Sequence, residues 1–89
     1  MGNDERYQIE SLTKGLEVLE ALEGAAFEPV AMKVIVERTK LKRDVVFRTL
    51  KTLKLKGYAV ETGGKWTVGQ RLIRFAGSIT RQKGAEARA

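Results

Sequence analysis

The main chemical feature of this sequence is a cluster of cationic side chains in its middle. Residues 40–56 contain seven basic residues and one acidic residue, a net charge of +6. The whole chain of 89 residues also carries +6, so the remainder is neutral in sum. Crowded ammonium and guanidinium groups bind phosphates, and they release counterions from a nucleic acid when they do so. The cluster therefore predicts a polyanion-binding surface. Its basic residues are Lys40, Lys42, Arg43, Arg48, Lys51, Lys54 and Lys56.

Several other chemistries lack the residues they need. The chain has no cysteine and no histidine, which removes disulfides, thiolates, the commonest metal ligand and the usual proton shuttle near neutral pH. Glu17, Glu20 and Glu23 recur at every third position, but this spacing is typical of a solvated helix face. Ser11 and Ser78 have no candidate base beside them. We therefore predict that the chain is not an enzyme and needs no cofactor or metal.

Charge and hydropathy also bear on location. Residues 1–31 carry a net charge of −5, which gives the chain an acidic start beside its basic middle. No run of about 18 apolar residues exists, and the N-terminus MGNDERYQ has no apolar signal region. The apolar stripe within 40–56 is narrow and is needed by a core, which disfavours binding to a membrane surface. We predict a cytoplasmic protein.

The basic cluster must be positioned by a helix that also packs in a core. Val46, Leu50 and Leu53 stand at helical spacing, and Gly57 follows as a left-handed C-terminal cap, so a helix is predicted over about 42–56. A shorter helix is predicted over 31–39 from Met32, Ile35 and Val36. Only residues 40–42 separate the two helices. Two helices joined by so short a turn are typical of a helix-turn-helix.

A first helix is predicted over about 11–23, with Ser11 as its N-cap. Its leucines recur at helical spacing, and further apolar residues widen the stripe beyond a third of the circumference. Two interpretations stay open: a broad contact with the core, or a second apolar surface that is buried against a partner chain. The leucines are Leu12, Leu16, Leu19 and Leu22, and the widening residues are Val18, Ala21 and Ala25.

After Gly57 the apolar period changes from helical to alternating. Residues 58–61 and 65–68 alternate around Thr62-Gly63-Gly64, which predicts a two-stranded hairpin or wing. Tyr58 and Trp66 are better interpreted as core residues of that hairpin than as stacking platforms. A fourth helix is predicted over 70–82. Residues 1–10 are predicted to be flexible, 11–69 to form the folded domain, 70–82 to be a linker and dimerisation helix beyond it, and 83–89 to be a disordered tail.

This order of elements predicts a mainly α fold with a small β-hairpin, a winged helix-turn-helix. In addition, the chain resembles the N-terminal DNA-binding domain of bacterial transcription factors of the isocitrate-lyase-regulator (IclR) type. The resemblance covers roughly residues 9–81. It is carried by the fragments IVERT, FRTLKTL, KGY and TVGQRL, which occur in order and at the family's spacing.

The resemblance implies sequence-specific binding of double-stranded DNA in transcriptional regulation. It also implies a homodimer that reads a pseudo-palindromic operator. The family usually carries a larger C-terminal effector-binding domain, which these residues do not include, so no small-molecule effector site is expected within them. Dimerisation is expected through the first helix and the 70–82 helix, with Leu12, Leu16, Leu19, Leu72, Phe75 and Ile79.

Three departures from the family pattern fall at the DNA-reading end. Lys40 stands where the family commonly has a turn glycine, and Lys42 where it has a proline. Asp44-Val45 replaces a usual Ser-Thr pair. These changes leave the predicted fold intact, but they prevent the operator sequence from being inferred from the family.

The first turns of a recognition helix reach base edges, whereas peripheral cations grip phosphates. We predict base contacts from Arg43, Asp44, Phe47 and Arg48. We predict backbone contacts from Lys33, Lys42, Lys51, Lys54, Thr62 and Lys65. Three structural alternatives stay open: Asp44 would be stabilised by the helix dipole without touching DNA, Phe47 would also pack well on the second helix, and Arg48 would be a solvated surface charge.

Two alternative functions share these features. One is a winged-helix module that binds an acidic protein partner through the basic helix. The other is a non-specific architectural or replication-associated DNA binder. The dependence of binding on salt and on DNA sequence separates both from a sequence-specific regulator.

Overall fold

A computed structural model describes residues 2–25 and 28–88, with side chains described over 4–25 and 28–79. A short 3-10 helix at Gly2–Tyr7 precedes four α-helices and three strands. In chain order these are α1 Glu10–Glu20, β1 Val30–Ala31, α2 Met32–Thr39, α3 Arg43–Leu55, β2 Ala59–Thr62, β3 Lys65–Val68 and α4 Gln70–Arg88. The predicted fold class, a winged helix-turn-helix, is confirmed.

The core lies where α1, α2 and α3 meet the small sheet. Each helix contributes its apolar stripe, and the sheet contributes the inward-facing side chains of its strands. Trp66 is almost completely buried, as predicted for a core residue of the wing. The buried residues are Val18, Ala21, Leu22, Ala25, Val30, Ile35, Val46, Leu50, Ala59 and Trp66.

The turn between α2 and α3 is held by local hydrogen bonds. The Lys40 amide donates to the Val36 carbonyl (2.9 Å), and the Thr39 hydroxyl donates to the Ile35 carbonyl (2.9 Å). Lys40 adopts a left-handed conformation with φ of 63°. For a residue with a side chain, the left-handed conformation costs about 1–2 kcal/mol of conformational free energy. This cost explains why the family that the chain resembles commonly has a glycine at this position.

The sheet has three strands, one more than predicted, in the order β1-β3-β2. β1 pairs antiparallel with β3 and places Val30 opposite Trp66. Two residues are too few to show an alternating period, which is why the sequence did not reveal β1. The predicted hairpin is confirmed: Thr62 pairs with Lys65, so Gly63 and Gly64 form a two-residue turn in which both φ angles are positive.

Near the chain ends, two elements differ from their predicted descriptions. Helix α1 begins at Glu10 with Ile9 as its N-cap, and no side chain caps it, so Ser11 is not the cap. Residues predicted to be a flexible start include the 3-10 helix. Helix α4 continues to Arg88 through the stretch 83–88 that was predicted to be a disordered tail. That stretch is rich in strong helix formers, which outweigh Gly84. Met1 and Ala89 lie outside the described residues.

Helix α4 is fastened to the turn that follows α3. The Gly69 amide donates to the Tyr58 carbonyl (2.9 Å), and the Arg71 amide donates to the Gly57 carbonyl (3.1 Å). A Cβ at Gly69 would lie 2.3 Å from the Gly57 carbonyl oxygen, so the close approach requires glycine. The ring of Phe75 in α4 stacks on Tyr58 at 6.2 Å between centroids. Tyr58 is thus half-buried against α4.

Candidate nucleic-acid interface

Helix α3 is fixed in the core by one face and exposes the others. Val46 and Leu50 are fully buried, and Leu53 is partly buried, as the helical spacing predicted. Gly57 follows the helix with φ of 87°, which confirms the predicted left-handed cap. Every basic residue of α3 is exposed. The helix therefore presents cations from a rigid support.

Three of the four predicted base-contacting residues come together at the N-terminal end of α3. Arg43, Asp44 and Phe47 line a shallow depression together with Met32 of α2. Phe47 keeps 46% of its surface exposed although it borders α2, so packing on α2 and contact with a ligand are compatible. Asp44 lies in the first turn of the helix, where the helix dipole also stabilises its charge.

Arg48, the fourth of these residues, lies on a different side of α3. It lines the groove between α1, α3 and α4 rather than the depression. The region opposite a buried stripe spans both flanks of a helix, and helical spacing alone does not say which flank a long side chain joins. The structure thus separates Arg48 from Arg43, Asp44 and Phe47.

Lys51 and Lys54, both predicted to contact phosphates, are paired within the chain. Their ammonium groups lie 3.6 Å and 3.4 Å from one carboxylate oxygen of Glu61 on β2. The ammonium of Lys51 also lies 5.3 Å from the centre of the Phe47 ring, a cation–π distance. Charge counts along the sequence do not reveal Glu61, because it follows the basic cluster in the chain and meets Lys51 and Lys54 only when the wing folds back on α3. The sequence does hold one signal: in the alternating strand β2, Glu61 lies on the same side as the buried Ala59, which is the side that faces the helices.

The other predicted backbone contacts surround this face. Lys42 is exposed just before α3, and Lys33 is exposed in the first turn of α2. Thr62 and Lys65 are exposed on either side of the hairpin turn. Because Lys65 pairs with Ala31, the residue before α2, the wing lies beside the N-terminus of that helix. The cations of α2, α3 and the wing therefore come from adjoining elements.

A second feature is an apolar groove between α1, α3 and α4, with a volume of about 1190 Å³. Five of the six residues predicted for dimerisation line it, whereas Ile79 is exposed on α4 outside its lining. Leu12 and Phe75 keep 58% and 52% of their surface exposed. The residues that widen the apolar stripe, Val18, Ala21 and Ala25, are buried in the core, whereas Leu12 and Leu16 are not used by it. The five residues are Leu12, Leu16, Leu19, Leu72 and Phe75.

Within residues 2–25 and 28–88, no three His, Cys, Asp or Glu side chains are grouped as a metal site requires. In the same residues, no helix combines the length and apolarity needed to cross a bilayer. The polar and charged side chains described are partly or fully exposed. The functional features of the described residues are thus surface charges and an open apolar groove.

A search of solved structures finds a similar fold in HmgR of Pseudomonas aeruginosa. The match has a TM-score of 0.68 and 23% sequence identity, and it covers 79% of this chain. This chain corresponds to 29% of the length of the HmgR chain. At this identity the likeness shows the fold. No protein-family model matches the chain, and no curated protein sequence matches it significantly.

Proposed function

We propose that this chain binds double-stranded DNA sequence-specifically in transcriptional regulation, as a domain of the IclR type. Helix α3 would enter the major groove, and the wing would lie on the flanking backbone. The observation that carries the proposal is the exposed N-terminal end of α3, where Arg43, Asp44 and Phe47 project from a helix that is held in the core by the fully buried Val46 and Leu50. The likeness to HmgR supports the winged-helix part of the proposal.

Each side chain at that end suits a different base edge. The Arg43 guanidinium can donate two hydrogen bonds to guanine, and the Asp44 carboxylate can accept one from a cytosine amino group. The Phe47 ring can pack on a thymine methyl group. Arg48 is proposed as a second residue that contacts guanine. It must reach the major groove of the DNA from the other flank of α3.

The surrounding polar groups are proposed to bind phosphates. Such contacts set the register and orientation of the protein and carry no sequence information. They come from α2, α3, the residue before α3 and the wing, so they would span the backbone on both sides of the recognition helix. The proposed residues are Lys33, Lys42, Lys51, Lys54, Thr62 and Lys65.

We propose that the apolar groove is the homodimer interface, which would give two recognition helices for a pseudo-palindromic site. The charges of the helices that flank it suit pairing between copies. Helix α1 has three acidic residues and one basic residue, whereas α4 has five basic residues and one acidic residue. Opposite charges favour α1 of one copy against α4 of the other. Leu12, Leu16, Leu19, Leu72, Phe75 and Ile79 would be buried there.

Selection of bound sites from random duplex DNA tests the function, followed by titration of the selected duplex and a scrambled one. A regulator should prefer its site by about 10³ or more. With about six phosphate contacts, affinity should fall roughly a thousandfold between 50 and 200 mM salt. Equal affinity for the scrambled duplex would favour the architectural binder. Absence of binding at low salt would favour the protein-interaction module.

Alanine variants test the proposed roles on the selected site. Arg43→Ala and Arg48→Ala should each relax sequence preference by about 1–3 kcal/mol, because each removes a base contact. Lys54→Ala should weaken all duplexes alike and reduce the salt slope by about 1. If Arg48→Ala leaves preference intact but weakens self-association, Arg48 belongs to the groove interface rather than to DNA.

A further inference from the structure

Glu61 stands between the two lysines of α3 that are proposed to bind phosphate. One of its carboxylate oxygens lies 3.6 Å from the Lys51 ammonium and 3.4 Å from the Lys54 ammonium. All three side chains are partly exposed, so the pairs lie at the surface where a duplex would approach. A carboxylate oxygen that pairs with both ammonium groups takes the place that a phosphate oxygen of DNA would take.

The three partners differ in freedom to move. Glu61 lies within β2, paired in register with Trp66, which is 2% exposed. Its backbone is therefore fixed by the sheet and by the core. Lys51 and Lys54 have long flexible stems on an exposed helix face and can turn toward another anion. When they do, the Glu61 carboxylate stays behind without its partners, close to a polyanion.

We propose that Glu61 competes with DNA phosphates for Lys51 and Lys54 and so limits the affinity of the domain for every duplex. The inference rests on the proposed DNA binding. Exposed ion pairs of this kind contribute only about 0–1 kcal/mol to folding, so stability gives little reason for the carboxylate. Non-specific binding depends on phosphate contacts, so the carboxylate would reduce the occupancy of unrelated sites as well as that of the operator.

The expected effect follows from one unit of charge. Neutralising Glu61 adds one cation to the phosphate-binding face, which should steepen the plot of log affinity against log salt by about 0.9. We expect Glu61→Gln to bind a random-sequence duplex about tenfold more tightly at 50 mM salt and about threefold more tightly at 200 mM. The ratio of specific to non-specific affinity should stay the same.

The matched control is Glu23→Gln, which changes the net charge equally at an exposed position in the turn after α1. Fluorescence anisotropy with a labelled random duplex of about 20 base pairs measures affinity across the salt range, and thermal denaturation confirms that all variants fold. A gain in Glu61→Gln that does not exceed the gain in Glu23→Gln would overturn the inference. If the wild type binds, that result leaves the proposed function standing.

A second arm tests whether Glu61 acts through the lysines. In a Lys51→Ala, Lys54→Ala background, the effect of Glu61→Gln should fall to that of the control variant. A gain that persists there would mean that Glu61 acts by its general field and not by competition, which overturns the inference. Failure of every protein to bind the duplex at 50 mM salt would overturn both the inference and the proposed function.

Discussion

The two halves of α1 carry the same kinds of residue and have different environments. In the C-terminal half, Val18 is fully buried, and so is Leu22 in the turn that follows the helix. In the N-terminal half, Leu12 and Leu16 are 58% and 47% exposed. Apolar residues recur at helical spacing in both parts, so hydropathy and spacing alone do not distinguish a core face from an exposed one. The distinction comes from what the rest of the fold places against each half.

Contacts with α2 fix the C-terminal end of α1. The Arg38 guanidinium of α2 donates to the Ala21 carbonyl (2.6 Å), where a cation also complements the dipole of α1. The N-terminal half, from Glu10 to Leu16, borders the groove that opens toward α3 and α4. One end of the helix is thus built into the core, and the other lines an open apolar surface.

The largest expected effect concerns the buried end. Leu22→Ala removes a fully buried side chain and leaves a cavity, so it should lower the free energy of unfolding by about 2–5 kcal/mol. Urea denaturation followed by circular dichroism measures the loss. A loss below 1 kcal/mol would mean that Leu22 packs no more tightly than the exposed Leu12 and Leu16 of α1, which contradicts the comparison.

A substitution at the exposed end of α1 should change self-association rather than folding stability. Leu16→Gln should change the unfolding free energy by less than about 1.5 kcal/mol, because much of the side chain is already in water. It should raise the dimer dissociation constant at least tenfold, or about 1.4 kcal/mol, if a partner chain covers Leu16. Sedimentation equilibrium measures the dissociation constant. An unchanged constant would remove Leu16 from the interface.

The smallest expected effect is a gain. Gly15 lies inside α1 and lines the groove, and a Cβ there would meet no atom within 4 Å. Gly15→Ala should therefore stabilise the monomer by about 0.5–1 kcal/mol through helix propensity. Thermal denaturation at low protein concentration measures this gain. Gly77→Ala in α4 is the matched control for helix propensity, because a Cβ there would also meet no atom within 4 Å and Gly77 does not line the groove.

Several predictions that rested on local physics are confirmed. The buried stripe of α3, the cap at Gly57 and the Gly63-Gly64 turn each depend on residues a few positions apart. The exceptions are also instructive. The N-terminus of α1 has no side-chain cap to mark it, and α4 continues past Gly84 because its neighbours favour helix.

Long-range arrangement could not be inferred in the same way. Strand β1 exists because Val30 meets Trp66, 36 positions later, and two residues show no period of their own. The pairing of Glu61 with Lys51 and Lys54 depends on how the wing folds back on α3. The flank taken by Arg48 depends on side-chain direction. Each of these needs tertiary structure, and the roles proposed for the site residues remain predictions.

The joint at Gly69 turns α4 into a lever. The helix has 19 residues and is therefore about 28 Å long, and its base is held to the end of the α3 segment by two backbone hydrogen bonds. A tilt of about 10° at that base would displace the far end by about 5 Å, by the geometry of a rigid rod of this length. The same ratio works in reverse. A displacement of several ångströms at Arg88 would reach α3 as a small rotation, enough to shift its exposed side chains without unfolding the joint.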